Sequence, residues 1–237
     1  MKEIEYLQKL IDESNYIVFF GGAGVSTASG IPDFRSKDGL YNQKFKFPPE
    51  VMLSSAFFYA NTKEFYKFYK DKFNLLKFKP NIVHKYLYEL EKRGKLKAIV
   101  TQNIDGLHTK AGNKNVYEIH GTIYKYHCIK CECEYDAEYV FKEGGIPTCK
   151  CGGIIKPNVV LYGESLPECY SEALYHIIHA DLLIVAGTSL NVYPAAGMLE
   201  YFRGHHLVII NRSPTQYDYK AELLIQDDMK KVFEKLK

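Results

Sequence analysis

Residues 16–35 read YIVFFGGAGVSTASGIPDFR, and this stretch decides the fold. Tyr16 to Phe20 is an apolar, β-rich run. Gly21, Gly22 and Gly24 follow it at once, ahead of small residues that can turn into a helix. Glycines let backbone amides approach a phosphate closely, and a helix start beyond them offers unpaired N–H donors at the positive end of a dipole. The spacing is not that of the ordinary dinucleotide fingerprint, because Thr27 stands where the third glycine of G-x-G-x-x-G would fall. Up to Thr27 the segment reads equally well as a tight strand-to-helix turn. Gly30-Ile31-Pro32-Asp33-Phe34-Arg35 then adds a turn, an acid, an aromatic ring and a guanidinium within six residues.

Outward from this stretch, the chain alternates strand and helix patterns. Before it, MKEIEYLQKLIDESN is a charged amphipathic helix without the continuous apolar segment of a signal peptide. After it, residues 36–49 carry glycine, asparagine and two prolines and read as a loop, the place for a cofactor lid. Residues 50–60 and 62–76 read as helices, the second with Phe65, Tyr66, Phe68, Tyr69 and Phe73 forming an aromatic stripe. A helix over 81–93 is expected between Pro80 and Gly94. Strands are expected at 96–101, 116–119, 159–162, 182–186 and 207–210, with helices over 167–179 and 194–201. This alternation predicts an α/β fold, a Rossmann-like doubly wound parallel sheet, whose ligands lie beyond the carboxyl ends of the strands. Gln102, Asn103 and Asp105 emerge from one such end and His120-Gly121 from another.

With 237 residues the chain holds one large domain, or a domain with insertions. A net charge of +3 is too small to argue for nucleic acid, and the lysines of residues 63–79 read as the solvated face of a helix. No run approaches the roughly 20 apolar residues of a membrane span, so the expectation is a cytoplasmic protein. Five of the six cysteines fall between Cys128 and Cys151, which reads as metal binding in a reducing compartment rather than as disulfides. Cys128-x-x-Cys131 and Cys149-x-Cys151 make two knuckles, and four thiolates suit a structural zinc with no open position for a catalytic water. Cys131-x-Cys133 leaves Cys133 as a possible substitute ligand. Glu132, Glu134, Asp136, Glu138 and Glu143 make this insert too acidic to hold nucleic acid.

GAGVSTASGIPDFR resembles the signature of the sirtuins, the NAD-dependent protein lysine deacylases. Three distant segments agree in the same order: Thr101-Gln-Asn-Ile-Asp105, His120-Gly121 and Gly187-Thr-Ser189. The resemblance runs from about Ile11 to about Phe233. It implies a Rossmann-like NAD-binding domain formed by residues 1–35, 81–121 and 158–237. A cofactor loop and helical module at 36–80 and a zinc-binding small domain at 122–157 would be inserted in it. It implies zinc on Cys128, Cys131, Cys149 and Cys151, leaving Cys133 and Cys169 spare.

The implied activity is transfer of the acyl group of acyl-lysine to ADP-ribose, with release of nicotinamide. Mono-ADP-ribosyl transfer and a non-enzymatic nucleotide-binding module are the alternatives. By the same resemblance His120 is the general base acting on the ribose hydroxyls, and Asn103 orients the ribose or a water. Ile104 and Asp105 form the nicotinamide pocket. Ala23, Gly24 and Thr27 cradle the pyrophosphate, with Asp33 beside them, and Phe34 shields the ribose carbon. Arg35 meets phosphate or ribose, and Gln102 a ribose hydroxyl. Gly187, Thr188 and Ser189 serve the phosphate, Asn211 the ribose and Met229 the adenine. Val159, Val160, Leu161, Tyr162 and Gly163 pair with the backbone of the acyl-lysine peptide. Sirtuins that prefer acidic acyl groups carry Tyr-x-x-Arg on the helical module. The best match here, Tyr66-Lys67-Phe68-Tyr69, lacks the arginine and favours acetyl or longer neutral groups. A monomer without nucleic-acid or membrane partners is expected.

Overall fold

The computed structural model describes residues 2–34, 39–142 and 144–237. Helix α1 (Lys2–Glu13) buries Leu7, Leu10 and Ile11 and leads into the wholly buried strand β1 (Ile17–Gly21). A 3₁₀ helix (Ala23–Ser29) follows, in place of an α-helix, and Gly30 ends it at φ +90°. Helices α2 (Pro49–Met52), α3 (Ser55–Ala60), α4 (Thr62–Lys72) and α5 (Ile82–Lys92) come next. Then follow β2 (Leu96–Thr101), α6 (Leu107–Ala111), β3 (Val116–Glu118), β4 (Gly121–Cys128), β5 (Glu134–Asp136), α7 (Ala137–Lys142) and β6 (Ile155–Val159). The chain closes with α8 (Cys169–His179), β7 (Leu182–Ala186), a 3₁₀ helix (Ala195–Tyr201), β8 (His206–Ile210), β9 (Leu223–Ile225) and α9 (Met229–Phe233).

Two sheets organise these elements. The six-stranded sheet has the order β3-β2-β1-β7-β8-β9 and is parallel throughout. Its order reverses between β1 and β7, and the crevice outside the carboxyl ends of those two strands is where such a fold binds ligands. One face is covered by Leu7 of α1, Leu87 of α5 and Phe233 of α9, the other by Ala173 and Ile177 of α8 and by Met198. The three-stranded antiparallel sheet β5-β4-β6 is separate. Its core is continuous with that of the helical segment, since Phe58, Phe65 and Tyr69 belong to one buried cluster with Tyr126, Cys128, Cys149 and Ile155.

Several expectations need correction. The strand expected over 159–162 is instead Ile155–Val159, antiparallel to β4 and outside the parallel sheet. Pro157 has no N–H to give, which fits an edge strand. The helix expected over 50–60 breaks at Leu53, where the Ser54 hydroxyl accepts the Phe57 amide and opens α3. Leu53 and Ser55 are thereby free to exchange backbone hydrogen bonds with Tyr162. The segment 194–201 is 3₁₀ rather than α. Strand β4 escaped the periodicity because a register shift lies between Gly121 and Tyr126, so Ile123, Tyr126 and Cys128 are buried without strict alternation.

Beneath α5 and α6 lie His84 and His108, 0% and 2% exposed, with ring centroids 4.6 Å apart. The Nδ1 of His84 accepts the Asn81 amide, and the Asn113 side chain donates to the carbonyls of both histidines. Burial holds His84 down at about 4 and His108 well below its ordinary value. Both are neutral in the fold, whereas in the unfolded chain they take up protons below about pH 6.5. Stability is therefore full above pH 6.5 and falls as the pH drops from there toward 4, by about 1.4 kcal/mol per pH unit for each histidine. Urea unfolding between pH 7 and 4.5 checks this: His84→Leu with His108→Leu should flatten the slope.

Candidate active site

The carboxyl ends of β1, β2 and β7 open into one cleft of about 540 Å³, which also takes in the C-terminal end of α4 and the segment after β6. That volume suits a small-molecule site. Every described residue expected to touch cofactor or substrate lines it, from Ala23 to Met229 and from Val159 to Gly163. Arg35 lies outside the described residues. The cleft is also lined by Ser26, Tyr41, Val192, Tyr193 and Arg212, which the sequence reading did not single out.

The glycines at the switch point serve backbone packing. The amides of Gly22 and Gly24 donate to the carbonyls of Ala186 and Gly187, at 3.2 and 2.8 Å. A Cβ on Gly24 would stand 2.8 Å from Gly187 Cα, and one on Gly22 2.7 Å from Thr188 Cβ. Gly187 takes φ +60°, and a Cβ there would meet Met229 Cε at 2.6 Å. Because the Gly24 amide is engaged in this way, an anion drawn to the turn must be met by other donors. One is the Thr188 hydroxyl: it accepts from Gln102 Nε2 at 2.9 Å and from the Leu190 amide at 3.2 Å, and its own proton remains to be given. Asn211 Nδ2 donates to Thr188 O and Ser213 O, at 3.0 and 2.9 Å, leaving its oxygen as the acceptor for a hydroxyl.

A buried relay runs along the floor of the cleft. Asn103 Nδ2 donates to Ser26 Oγ (3.2 Å), and Ser26 donates to Asp105 Oδ2 (2.6 Å). Asp105 Oδ1 accepts the Leu107 amide at 2.9 Å and so helps start α6. Burial raises the Asp105 carboxyl above its usual range, against the lowering effect of those hydrogen bonds. The direction of the relay fixes the Asn103 amide with its Oδ1 as the spare acceptor. Ser26, 1% exposed, is the link that the sequence reading missed. Its signal was a serine inside an apolar strand-to-helix turn, where an unpartnered hydroxyl would be costly.

His120 ends β3's loop with Nδ1 at 3.1 Å from the Gln102 carbonyl. A carbonyl only accepts, so Nδ1 carries the proton and Nε2 the lone pair. Burial pushes this imidazole below its ordinary value, partly opposed by that hydrogen bond. Gly121, at φ +77°, turns the chain into β4, and any Cβ there would strike Asn158 O at 2.0 Å. The His120 carbonyl accepts the Val160 amide at 2.9 Å, tying His120 to the segment expected to hold peptide.

The four cysteines form the second site. The Sγ atoms of Cys128, Cys131, Cys149 and Cys151 all lie within 4.8 Å of one another, and three pairs stand at 3.4–3.5 Å. Zn–S bonds of about 2.3 Å in a tetrahedron place sulfurs about 3.8 Å apart, so the donor set fits zinc. The amides of Lys130 and Cys151 point at Cys128 Sγ and Cys149 Sγ and favour the thiolates. Cys133 is not in the cluster; its carbonyl accepts the Cys128 amide.

Comparison with known proteins decides the family. The sequence model of the Sir2 family matches residues 22–194. The chain belongs to the Sir2 family. It is 54% identical to an NAD-dependent protein deacetylase of Clostridium acetobutylicum, over 99% of this chain and 98% of that one. It is 47% identical to an NAD-dependent protein deacetylase of Staphylococcus epidermidis, over 99% and 96%. A solved structure of Sir2 with a p53 peptide and NAD+ superposes with a TM-score of 0.87 at 40% identity, covering 99% of this chain and 96% of that one. Sir2 bound to acetylated peptide gives 0.88 at 38% identity, over 99% and 96%. The Sir2 fold is thus present with its NAD-type crevice and four-cysteine cluster. Among the described residues no helix is long and apolar enough to cross a membrane.

Proposed function

We propose that this protein is an NAD-dependent protein lysine deacetylase, moving the acyl group of acyl-lysine to ADP-ribose. The observation that carries this reading is a half-buried imidazole with a fixed tautomer in the same cleft as the switch-point turn and the segment after β6. NAD supplies the acceptor sugar and a good leaving group, nicotinamide. The residues of this chain bind, orient and move protons. His120 Nε2 takes a proton from a ribose hydroxyl. Asn103 Oδ1 orients that ribose or a water, and Asp105 and Ile104 hold the carboxamide end. Phe34, edge-on to Tyr41 with centroids 5.6 Å apart, excludes water from the reacting carbon. Ala23, Thr27, Thr188 and Ser189 meet the phosphates, with Gly24 and Gly187 allowing the approach. Gln102 and Asn211 read ribose hydroxyls, and Met229 borders the adenine.

The peptide is held by fewer main-chain groups than five residues could offer. Val160 N–H goes to His120, Tyr162 gives both groups to Leu53 and Ser55, and Leu161 gives both to Glu164. Among the described residues this leaves the Val160 carbonyl and the Gly163 amide and carbonyl to pair with a substrate strand. Recognition through main-chain groups needs no particular side chain on the peptide, so sequence preference is loose.

The acyl end is apolar. Tyr66 is turned away from the cleft, its hydroxyl on the Ile155 carbonyl, while Tyr69, Phe73 and Leu75 line it. Lys72, three residues after Tyr69, also lines it, but its ammonium is matched by Asp71 at 3.0 Å and lies 5.3 Å from the Phe45 ring centroid. Neutral acyl groups fit this wall, and a carboxylate would be desolvated there because, among the described residues, the nearby Lys72 is already matched by Asp71. Mass spectrometry of reactions containing NAD and acetyl-, propionyl- or succinyl-lysine peptides of one sequence tests both points. Free lysine and O-acyl-ADP-ribose are expected in equal amounts, with succinyl at least about tenfold slower than acetyl. ADP-ribose on an acceptor side chain, without deacylation, would overturn the reading.

A further inference from the structure

Lys156 is 6% exposed, an unusual place for an ammonium. Its three donors meet three acceptors: Glu164 Oε2 at 3.1 Å and the carbonyls of Pro157 and Val159 at 3.3 and 3.5 Å. Nζ stands 6.0 Å from the centroid of Phe58, a ring buried in the helical core. The same Glu164 oxygen accepts the Leu161 amide at 2.9 Å, and the Glu164 amide returns to the Leu161 carbonyl at 3.0 Å. The carboxylate therefore closes a loop over residues 161–164, in which Gly163 sits at φ +90°. With Lys156 buried and the Glu164 side chain 23% exposed, the pair adds little stability over apolar residues of the same size, while losing the carboxylate strands the lysine's charge. Its position, under the segment that must present backbone to a substrate, gives it a different use.

We infer that the Lys156–Glu164 pair is a positioning device for the acyl-lysine peptide. It holds residues 160–163 in the bend that turns the Val160 carbonyl and the Gly163 backbone toward the cleft. Glu164 also withholds both groups of Leu161, its carboxylate taking the amide and its own backbone amide the carbonyl, so that a peptide strand cannot pair one residue out of register. Tyr162, fastened to Leu53 and Ser55, anchors the other side of the bend. Neither Lys156 nor Glu164 acts on the reacting atoms; both act through the backbone they hold. The inference rests on the deacetylase reading for the identity of the ligand.

The test uses the full chain with Glu164→Gln, Lys156→Met and Lys156→Arg, and the double variant E164Q/K156M. Glutamine keeps an acceptor for the Leu161 amide but ends the ion pair, and arginine keeps charge and donors. Peptide affinity is read by fluorescence anisotropy of a labelled acetyl-lysine peptide, cofactor-side affinity by calorimetry with ADP-ribose, and the fold by thermal melting. Glu164→Gln and Lys156→Met should each weaken peptide binding about tenfold and raise the peptide KM alike, with kcat within about twofold. ADP-ribose affinity should stay at the wild-type value. Lys156→Arg should restore peptide binding, and the double variant should be no worse than the poorer single. Unchanged peptide affinity in both singles, or ADP-ribose affinity falling in step with it, would overturn the inference. Wild-type peptide binding without turnover counts against the deacetylase reading alone; no wild-type binding defeats both.

Discussion

Replacing His120 with alanine is expected to lower turnover by about 10²- to 10⁴-fold while leaving ADP-ribose and peptide affinities within a few-fold of wild type. The argument is one of tautomer and burial. The Gln102 carbonyl holds the proton on Nδ1, so Nε2 is a ready acceptor, and burial keeps the ring neutral at pH 7. A base with a depressed pKa loses its function only as the pH falls through that depressed value. The acid limb of kcat/KM should therefore lie below pH 6.5, the ordinary histidine value. A second titrating group is close enough to confuse the profile. Glu118, two residues upstream, is pushed up to about 7 by burial and then by the charge of Asp105. Glu118→Gln should leave the limb in place, because in the proposed reaction the group that must be deprotonated is the imidazole. A limb that moves with Glu118, or a His120→Ala variant that turns over at the wild-type rate, would remove His120 from the base role.

The parallel sheet was legible because β1, β2, β7 and β8 are buried on both faces and read as continuous apolar runs. The ends of β1, β2 and β7 delivered the glycines, Gln102 to Asp105, and Gly187 to Ser189 to one crevice, as the alternation of elements required. What the sequence hid was how those residues use one another. Gly24 lines the crevice and also gives its amide to the Gly187 carbonyl, since close packing and close ligand approach both demand glycine. Ser26 is invisible to periodicity, and only the meeting of β1's loop with β2's loop reveals the relay to Asp105. The segment 159–162 has strand composition, but its pairing depends on Gly121 and on Leu53, which are distant in sequence. Non-local pairing of this kind leaves no local pattern to read.

Removing the metal is expected to have the largest effect of all. A structural zinc bound by four thiolates contributes about 10–16 kcal/mol at pH 7, which matches or exceeds the roughly 5–15 kcal/mol stability of a whole domain. Here the consequence reaches beyond the knuckles. Cys128 and Cys149 belong to the same buried cluster as Phe58, Phe65, Tyr69 and Tyr126, so loosening β4 and β6 also loosens the helical wall of the cleft. It also frees the segment that carries Val160 and Glu164, because β6 ends at Val159. A strong chelator, or Cys149→Ser, should therefore abolish both turnover and peptide binding. The two cores on the faces of the parallel sheet contain none of the four cysteines and should keep much of the helical circular dichroism. Cys133→Ser should change neither metal content nor melting temperature, since its sulfur lies outside the cluster. Metal analysis of the purified chain should find one zinc per molecule, lost in Cys149→Ser and retained in Cys133→Ser. An apo protein that still binds acetyl-lysine peptide with wild-type affinity would show that the zinc unit and the cleft wall do not share a core in solution.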